Sequence, residues 1–217
     1  IHSNNFNLDE LLIPCKVDNE NVASCGTRKW MSTLYDGNQI ESVLIPSGKF
    51  DLTTLCVSTQ IGCDRGCAFC ATGKMGLVRN LTPSEIVGQV IRGLHITKRE
   101  GMPDLTNIVF MGMGDAGRNL ESVSEAVRCI TDRKRLAFAE SKITVSTVGP
   151  SPEAFQLIGE LPCTIAWSLH AADDALRKRL VPSTKYTIEE LRSGLIDALS
   201  KRESLSKRTL MIAITLI

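Results

Sequence analysis

From Leu55 to the end of the chain, short apolar runs alternate with longer stretches in which apolar residues recur every three or four positions. The runs are "TLCVST" (54–59), "NIVFMGMG" (107–114), "KITVSTVG" (142–149), "CTIAWSLH" (163–170) and "LMIAITLI" (210–217). They are close to apolar throughout rather than alternating, as strands are when a parallel sheet is covered on both faces. The stretches between them predict helices. Thr82 caps the first, with Pro83 in its first turn and Glu85 completing a capping box, ahead of Ile86, Val87, Val90, Ile91 and Leu94 on one face. The second carries Val123, Ala126, Val127 and Ile130, the third starts at Ser151-Pro152, and Thr187 with Glu190 caps a further one ahead of Ile188, Leu191, Leu195, Ile196 and Leu199. Five strands alternating with amphipathic helices make this an α/β protein of parallel β/α units, and the closing run reads as a buried strand. The pattern fits an open doubly wound sheet and a partial barrel equally well. Upstream, Asp36-Gly37 separates two β-prone stretches and predicts a hairpin. The chain thus divides into an N-terminal extension with a β-hairpin over 1–53 and a core over 54–217, without internal repeats or low-complexity tracts.

With 217 residues, 43% of them hydrophobic, the chain can bury a sizeable core. Its 25 Lys and Arg against 24 Asp and Glu leave no bulk charge that would mark a nucleic-acid binder, so any basic surface must be local. No apolar run approaches the roughly 18 to 20 residues that span a bilayer. The first thirty residues hold Asp9, Glu10, Asp18 and Glu20 without a central apolar segment, unlike a secretory signal or a transit peptide. The expected compartment is the cytoplasm, with an organelle such as a plastid as the alternative. There, clustered thiols serve metals or catalysis more often than disulfides. The chain opens on Ile1 and stops at Ile217 inside an apolar run, and is expected to be part of a longer product.

Four of the eight cysteines fall within "CVSTQIGCDRGCAFC" (56–70). Cys63, Cys67 and Cys70 form C-x3-C-x2-C, and Gly62 and Gly66 give the loop the freedom to wrap three thiolates around one inorganic centre. A fully protein-held 4Fe-4S cluster takes four cysteines, so three would leave one iron open to a substrate. Structural zinc normally takes four ligands in two spaced pairs, and no second pair exists here. The pattern therefore favours a cluster.

This loop, following the first strand of a β/α series and carrying Phe69 just before the last cysteine, resembles the radical S-adenosylmethionine superfamily. The resemblance implies a partial (β/α)6 barrel, open on one side, with its chemistry at the C-terminal strand ends. It implies two cofactors, a 4Fe-4S cluster held by Cys63, Cys67 and Cys70, and S-adenosylmethionine, which the reduced cluster splits into methionine and a 5′-deoxyadenosyl radical. Further motifs, "GTRKW" (26–30), "MGMGD" (111–115), "STVG" (146–149) and "SLHA" (168–171), make the chain similar to the RlmN family of RNA methyltransferases, which act at C2 of adenine in large-subunit rRNA and tRNA. In that resemblance Gly114 and Asp115, Ser146, Ser168, Leu169 and His170 would contact S-adenosylmethionine. Each alone would read as a cap or loop residue; in register at successive strand ends they mark a ligand site. Glu41 would accept a proton near the target base, its plainer reading being a solvated charge in a hairpin strand. Cys56 would be the second thiol that releases the product after a methyl-carrying cysteine has joined enzyme and RNA. Since a thiolate is the competent form, a positive or hydrogen-bonding neighbourhood is expected around it.

Two departures qualify the match. The family's Glu after the glycine is Asp115, and its following Pro-Leu is Ala116-Gly117. The family's methyl-carrying cysteine and a ligand-contacting Asn fall beyond the last strand present, so the chain as written should bind a cluster and cleave S-adenosylmethionine without completing methylation. Cys15, Cys25, Cys129 and Cys163 do not occupy that cysteine's place. Related enzymes acting at adenine C8 share these motifs, and a module that binds S-adenosylmethionine or RNA without catalysis is the non-enzymatic alternative. Expected partners are large-subunit rRNA and tRNA, with a base presented unpaired, and an electron donor such as flavodoxin or ferredoxin; the chain is expected to be a monomer with no membrane. Arg28, Lys29, Lys74, Arg79 and the run "KRESLSKR" (201–208) are the candidate phosphate contacts.

Overall fold

The computed structural model describes residues 15–202 and 209–216. Three antiparallel strands, β1 (Cys15–Val22), β2 (Arg28–Leu34) and β3 (Gln39–Ser47), lead into β4 (Leu52–Cys56). From β4 the sheet continues in parallel through β7 (Leu105–Phe110), β8 (Ile143–Thr147), β9 (Thr164–Ser168) and β10 (Leu210–Ala213), giving one eight-stranded sheet in the order β1-β2-β3-β4-β7-β8-β9-β10. A separate antiparallel hairpin, β5 (Gln60–Cys63) and β6 (Gly76–Asn80), stands at the C-terminal end of β4. The helices are α1 (Pro83–Arg99), α2 (Leu120–Thr131), α3 (Pro152–Gly159), α4 (Asp174–Leu180) and α5 (Ile188–Ser200). The five expected parallel strands are present and the sheet is open, as a partial barrel requires. The antiparallel strands extend that same sheet, because β3 pairs with β4.

Both capping boxes form: Thr82 accepts from Glu85 N–H while Glu85 accepts from Thr82 N–H, and Thr187 and Glu190 do the same for α5. The α1 stripe buries Ile86 and Val90 against the sheet, and α2 buries Val123, Ala126, Val127 and Ile130. Gly93 lets α1 approach closely, since a Cβ there would lie 2.9 Å from Leu55 Cδ2. Phe155 of α3 meets Trp167 of β9 edge-on at 5.6 Å.

Some expectations shift. The run 54–59 is regular strand only to Cys56, after which Val57 to Thr59 follow the end of β7 in an irregular link. The strand expected to be buried at 210–217 is instead an edge, with Met211 and Ile212 exposed, because among the described residues it pairs with β9 alone. Ile196, expected on the buried face of α5, is also exposed; Ala198 occupies the core side instead. Helix α4 was not anticipated: seven residues are too short for a periodic signal, and only the Asp173 cap, accepting from Leu176 N–H, marks its start.

Arg79 of β6 ties three elements together. Its guanidinium grips the buried Glu85 carboxylate at 2.8 and 2.9 Å, reaches Asp36 in the β2–β3 turn at 2.7 Å and donates to Asn80 O. The bonds from Arg79 and Asn38 hold Asp36 down at about 2. Burial acts to raise Glu85, but Arg79 and Thr82 outweigh it and keep it below the ordinary value. Depressed carboxylates stabilise the fold above their unfolded values, and that contribution disappears as pH falls through the folded ones. Arg79→Met should therefore lower unfolding free energy by about 3 kcal/mol at neutral pH, as expected for stranding one member of a buried pair. The loss of stability between pH 5 and pH 2 should also be smaller in the variant than in the parent, as read by urea unfolding. An equal acid sensitivity in both would rule this clasp out as its source.

Candidate functional site

The cysteine loop begins where β5 ends. Gly62 (φ +73°) closes the β5–β6 hairpin so tightly that a Cβ there would meet Gly76 O at 1.8 Å, which excludes any other residue. Cys63 follows as the last residue of β5, with Arg65 N–H donating to its Sγ at 3.5 Å. Cys70 N–H donates to Cys67 O across a turn, and Gly73 presses against Cys67, leaving a Cβ only 3.0 Å from Cys67 N. Arg65 pairs with Asp64 at 2.8 Å, and Arg118 bonds the other Asp64 oxygen at 3.3 Å. Helix α4 braces the loop from behind: Leu180 O accepts from Ala68 N–H, and Val181 packs with Val148 against Cys67.

Opposite the loop lie the C-terminal ends of β7, β8 and β9. Together they enclose a cavity of about 230 Å³ lined by Cys63, Cys67 and Cys70 on one side and by Gly114, Asp115, Ser146, Thr147, Ser168 and His170 on the other. Gly114 (φ +96°) has no room for a side chain, because a Cβ would lie 2.6 Å from Gln60 Cβ. Asp115 is buried; its Oδ1 accepts from Gly117 N–H at 3.1 Å while Oδ2 has no partner. Burial pushes the Asp115 carboxyl up, against the opposing effect of the Thr147 hydroxyl and Gly117 N–H. The Ser146 and Ser168 hydroxyls are 3.0 Å apart. His170 has a left-handed backbone (φ +65°) held by the bond from its N–H to Ala213 O, and its ring meets Phe69 edge-on at 4.7 Å. Burial and nearby Arg177 keep the imidazole below its ordinary pKa, favouring the neutral ring, with Nδ1 3.0 Å from Thr215 Oγ1.

Of the two departures at this turn, the glycine at 117 has a local explanation. Gly117 lies against β8, where a Cβ would be 2.4 Å from Thr147 Oγ1 and 2.9 Å from Pro150 Cδ, so no larger residue fits this backbone. The shorter carboxylate curls onto its own turn through one oxygen and keeps the other unpaired.

Three of the sequence candidates are not among the residues lining this cavity. Leu169 takes part through its backbone, donating to Trp167 O and Ala213 O and accepting from Arg177 Nε. Cys56 and Glu41 lie beside one another nearby, linked to the cavity through Met111. That residue lines the cavity, and its backbone N–H faces the Cys56 sulfur. Burial lifts the Cys56 thiol to about 11 despite that bond, and the Glu41 charge lifts it further. The expected hydrogen-bonding neighbour is present, but burial outweighs it. Glu41 is ion-paired with Lys29 at 2.7 Å, both partly exposed.

The basic candidates are largely committed elsewhere. Arg28 pairs with Glu20 and Glu100, Lys29 with Glu41, and Arg79 with Asp36 and Glu85, so these three are not free phosphate contacts. In the run 201–208, residues 203–208 lie outside the described residues. A larger cavity of about 510 Å³ lies at the N-terminal ends of β8 and β9, next to Glu160 and Cys163; of the candidates only Lys201 and Arg202, from the basic run, line it.

Sequence reasoning missed the residues that hold these groups in place. Gln60, fully buried, accepts from Asp115 N–H at 2.9 Å and donates to Asn80 Oδ1 at 2.7 Å. Gln89 of α1 accepts from Ser58 N–H and donates to Ser58 O, and Asn119 donates to Thr59 O and Leu81 O. A lone Gln or Asn in a strand or helix carries no local signal of such a role.

The donor set suits a cluster better than a single ion. Among the described residues no three His, Cys, Asp or Glu side chains converge as the ligand set of one metal ion. Cys63, Cys67 and Cys70 nevertheless line one cavity with no fourth cysteine among its walls, and a cluster binds each thiolate through a different iron. Burial lifts both Cys63 and Cys67 to about 11, so their thiolates need a positive centre of the kind iron supplies. The unpaired Asp115 Oδ2 would suit a cationic amine.

The chain is similar to several known proteins. A curated protein from Magnetococcus marinus named "Dual-specificity RNA methyltransferase RlmN" is 44% identical over 182 residues, 83% of this chain and 50% of that protein. One of the same name from Syntrophobacter fumaroxidans is 46% identical over 173 residues, 78% of this chain and 48% of the relative. The chain spans about half the length of these curated relatives. The crystal structure of a radical SAM methyltransferase from Sphaerobacter thermophilus superimposes with a TM-score of 0.84 at 36% identity, covering 94% of this chain and 59% of that one. Residues 57–211, from the link after β4 into β10 and including the whole cysteine loop, match the profile of the radical SAM superfamily, and the chain belongs to that superfamily.

Proposed function

We propose that the chain is the cluster-bearing part of a radical S-adenosylmethionine RNA methyltransferase acting at C2 of adenine in large-subunit rRNA and tRNA. The observation that carries this reading is one cavity lined jointly by Cys63, Cys67, Cys70 and the strand-end residues Asp115, Ser146, Ser168 and His170. The similarity to relatives named as dual-specificity RNA methyltransferases supports the substrate class. When bound, the cluster and S-adenosylmethionine supply a 5′-deoxyadenosyl radical, driven by an electron from a small donor such as flavodoxin or ferredoxin.

The chain's own residues then have distinct tasks. Cys63, Cys67 and Cys70 would hold the cluster and leave one iron open to a ligand. Asp115 Oδ2 accepts from the ammonium of S-adenosylmethionine, which relieves its orphaned, buried state. Ser146 and Ser168 offer hydroxyls to the same ligand, and His170, neutral, gives it an apolar face. Cys56 would serve as the second thiol, attacking the sulfur of a methyl-carrying cysteine that none of the described residues supplies, so that its C–S bond to the base breaks and a disulfide remains; Glu41 would take the proton lost from carbon.

Anaerobic reconstitution with iron and sulfide should give 4Fe-4S absorbance, and reduction with S-adenosylmethionine present should give 5′-deoxyadenosine. Neither should appear when Cys63, Cys67 and Cys70 are replaced by Ala. A parent chain without cluster or cleavage would sink the radical reading and leave at most a binding module. Asp115→Ala should weaken S-adenosylmethionine binding about tenfold or more by titration calorimetry, the size of a lost charge-assisted bond; unchanged affinity would free Asp115 of its role.

Cys56 can be tested separately. Because the Glu41 charge opposes its ionisation, Glu41→Gln should lower the Cys56 pKa from about 11 and speed its alkylation by iodoacetamide near pH 9, as followed on the Cys56 peptide by mass spectrometry. A rate identical to the parent's would separate the two residues.

A further inference from the structure

Arg177 of α4 is fully buried without an acidic partner. Its guanidinium donates to three neutral oxygens on three segments: Leu169 O after β9, Val148 O after β8, and Thr184 Oγ1. Among the described residues no carboxylate forms an ion pair with it. Asp174 is near enough to be felt, but its Oδ1 accepts from Ile188 N–H. Burying a cation in this way is costly unless a negative charge nearby offsets it. The neighbours of Arg177 point to where that charge lies. Val148, which it bonds, packs with Val181 and Cys67 in one apolar cluster, and Leu180, three residues on, accepts from Ala68 N–H in the cysteine loop.

We propose that Arg177 is the built-in counter-charge of the cysteine loop, a fixed cation behind Cys67 that stabilises the thiolate-ligated cluster and raises its reduction potential. This rests on the cluster reading above and adds to it a positioning residue on α4. Three thiolates make the oxidised cluster assembly net negative, and uptake of one electron makes it more so. A buried positive charge therefore stabilises both states, and the reduced one more. Having three neutral acceptors rather than a carboxylate matters here, because a paired acid would cancel the field at the cluster. It also sets α4 apart as more than a brace: the same side chain that joins the strand-end loops carries the charge.

The full chain, reconstituted anaerobically with iron and sulfide, is titrated with dithionite while the reduced cluster is followed by electron paramagnetic resonance. Arg177→Gln, which keeps amide donors but no charge, should shift the midpoint potential negative and lose iron several-fold faster to a chelator, whereas Arg177→Lys should stay near the parent. The melting temperature of Arg177→Gln should also fall further with the cluster than without it; a purely structural tie would cost the same in both. Asp174→Asn leaves the three guanidinium bonds intact and removes the nearest opposing charge, so at low ionic strength it should move the potential positive even if Arg177→Gln does not fold. An unchanged potential in Arg177→Gln, an equal shift in Arg177→Lys, or a negative shift in Asp174→Asn would overturn the inference. A parent chain that assembles no cluster would instead overturn the reading on which it rests, and absorbance of the parent distinguishes the two failures.

Discussion

The site depends on how one buried link satisfies its peptide groups. After Cys56 the chain leaves regular pairing, yet Val57 to Gln60 run through the interior, where unpaired N–H and C=O groups are expensive. The end of β7 answers part of this demand, with Val109 O accepting from Val57 N–H, Gly112 N–H donating to Val57 O, and Met113 O accepting from Thr59 and Gln60 N–H. Side chains from two helices answer the rest: Gln89 brackets Ser58, and Asn119 serves Thr59 O. With these partners in place the link follows one path, so Cys63 starts at a fixed point beside the strand ends. The last residue of the link, Gln60, holds Asp115 N–H, so the same constraint aligns both walls of the cavity.

The walls are matched in close approach as well as in position. Gly62, Gly114 and Gly117 each occupy places where a Cβ would overlap another segment, and two of them combine that contact with a positive φ. Rigidity of this kind suits a site that must hold a cofactor in one geometry. The electrostatics are consistent with it. Buried thiols and a buried carboxyl with one free oxygen are each unfavourable alone, and they line one cavity where a cluster and a zwitterionic ligand would balance them.

The order of strands, both capping boxes, the hairpin at Asp36-Gly37 and the cysteine triad were legible because each is a local signal: a run, a cap, a turn dipeptide, a spacing. Boundaries were less so. The stretch 54–59 looks uniformly β-prone, but its second half bonds to irregular partners that only the folded chain supplies. Ile196 fits the apolar periodicity of α5 and still faces outward, because periodicity defines a stripe wider than the surface that α5 covers. Arg28, Lys29 and Arg79 look like available cations in sequence, because which acid each meets is set by strand pairing and helix placement rather than by spacing along the chain.

By itself the sequence determined the α/β class, the three-cysteine loop and the strand ends on which Gly114, Asp115, Ser146, Ser168 and His170 fall, since short-range patterns encode burial, turns and ligand spacing. Only the tertiary structure decided that these residues line one cavity while Cys56 and Glu41 lie outside its lining. It alone revealed that Asp115 keeps one oxygen free, and that Arg177 bonds Val148 O, whose residue packs against Cys67. Those relations are distances between segments remote in sequence, and they exist only once the buried polar groups of each segment have found partners on the others.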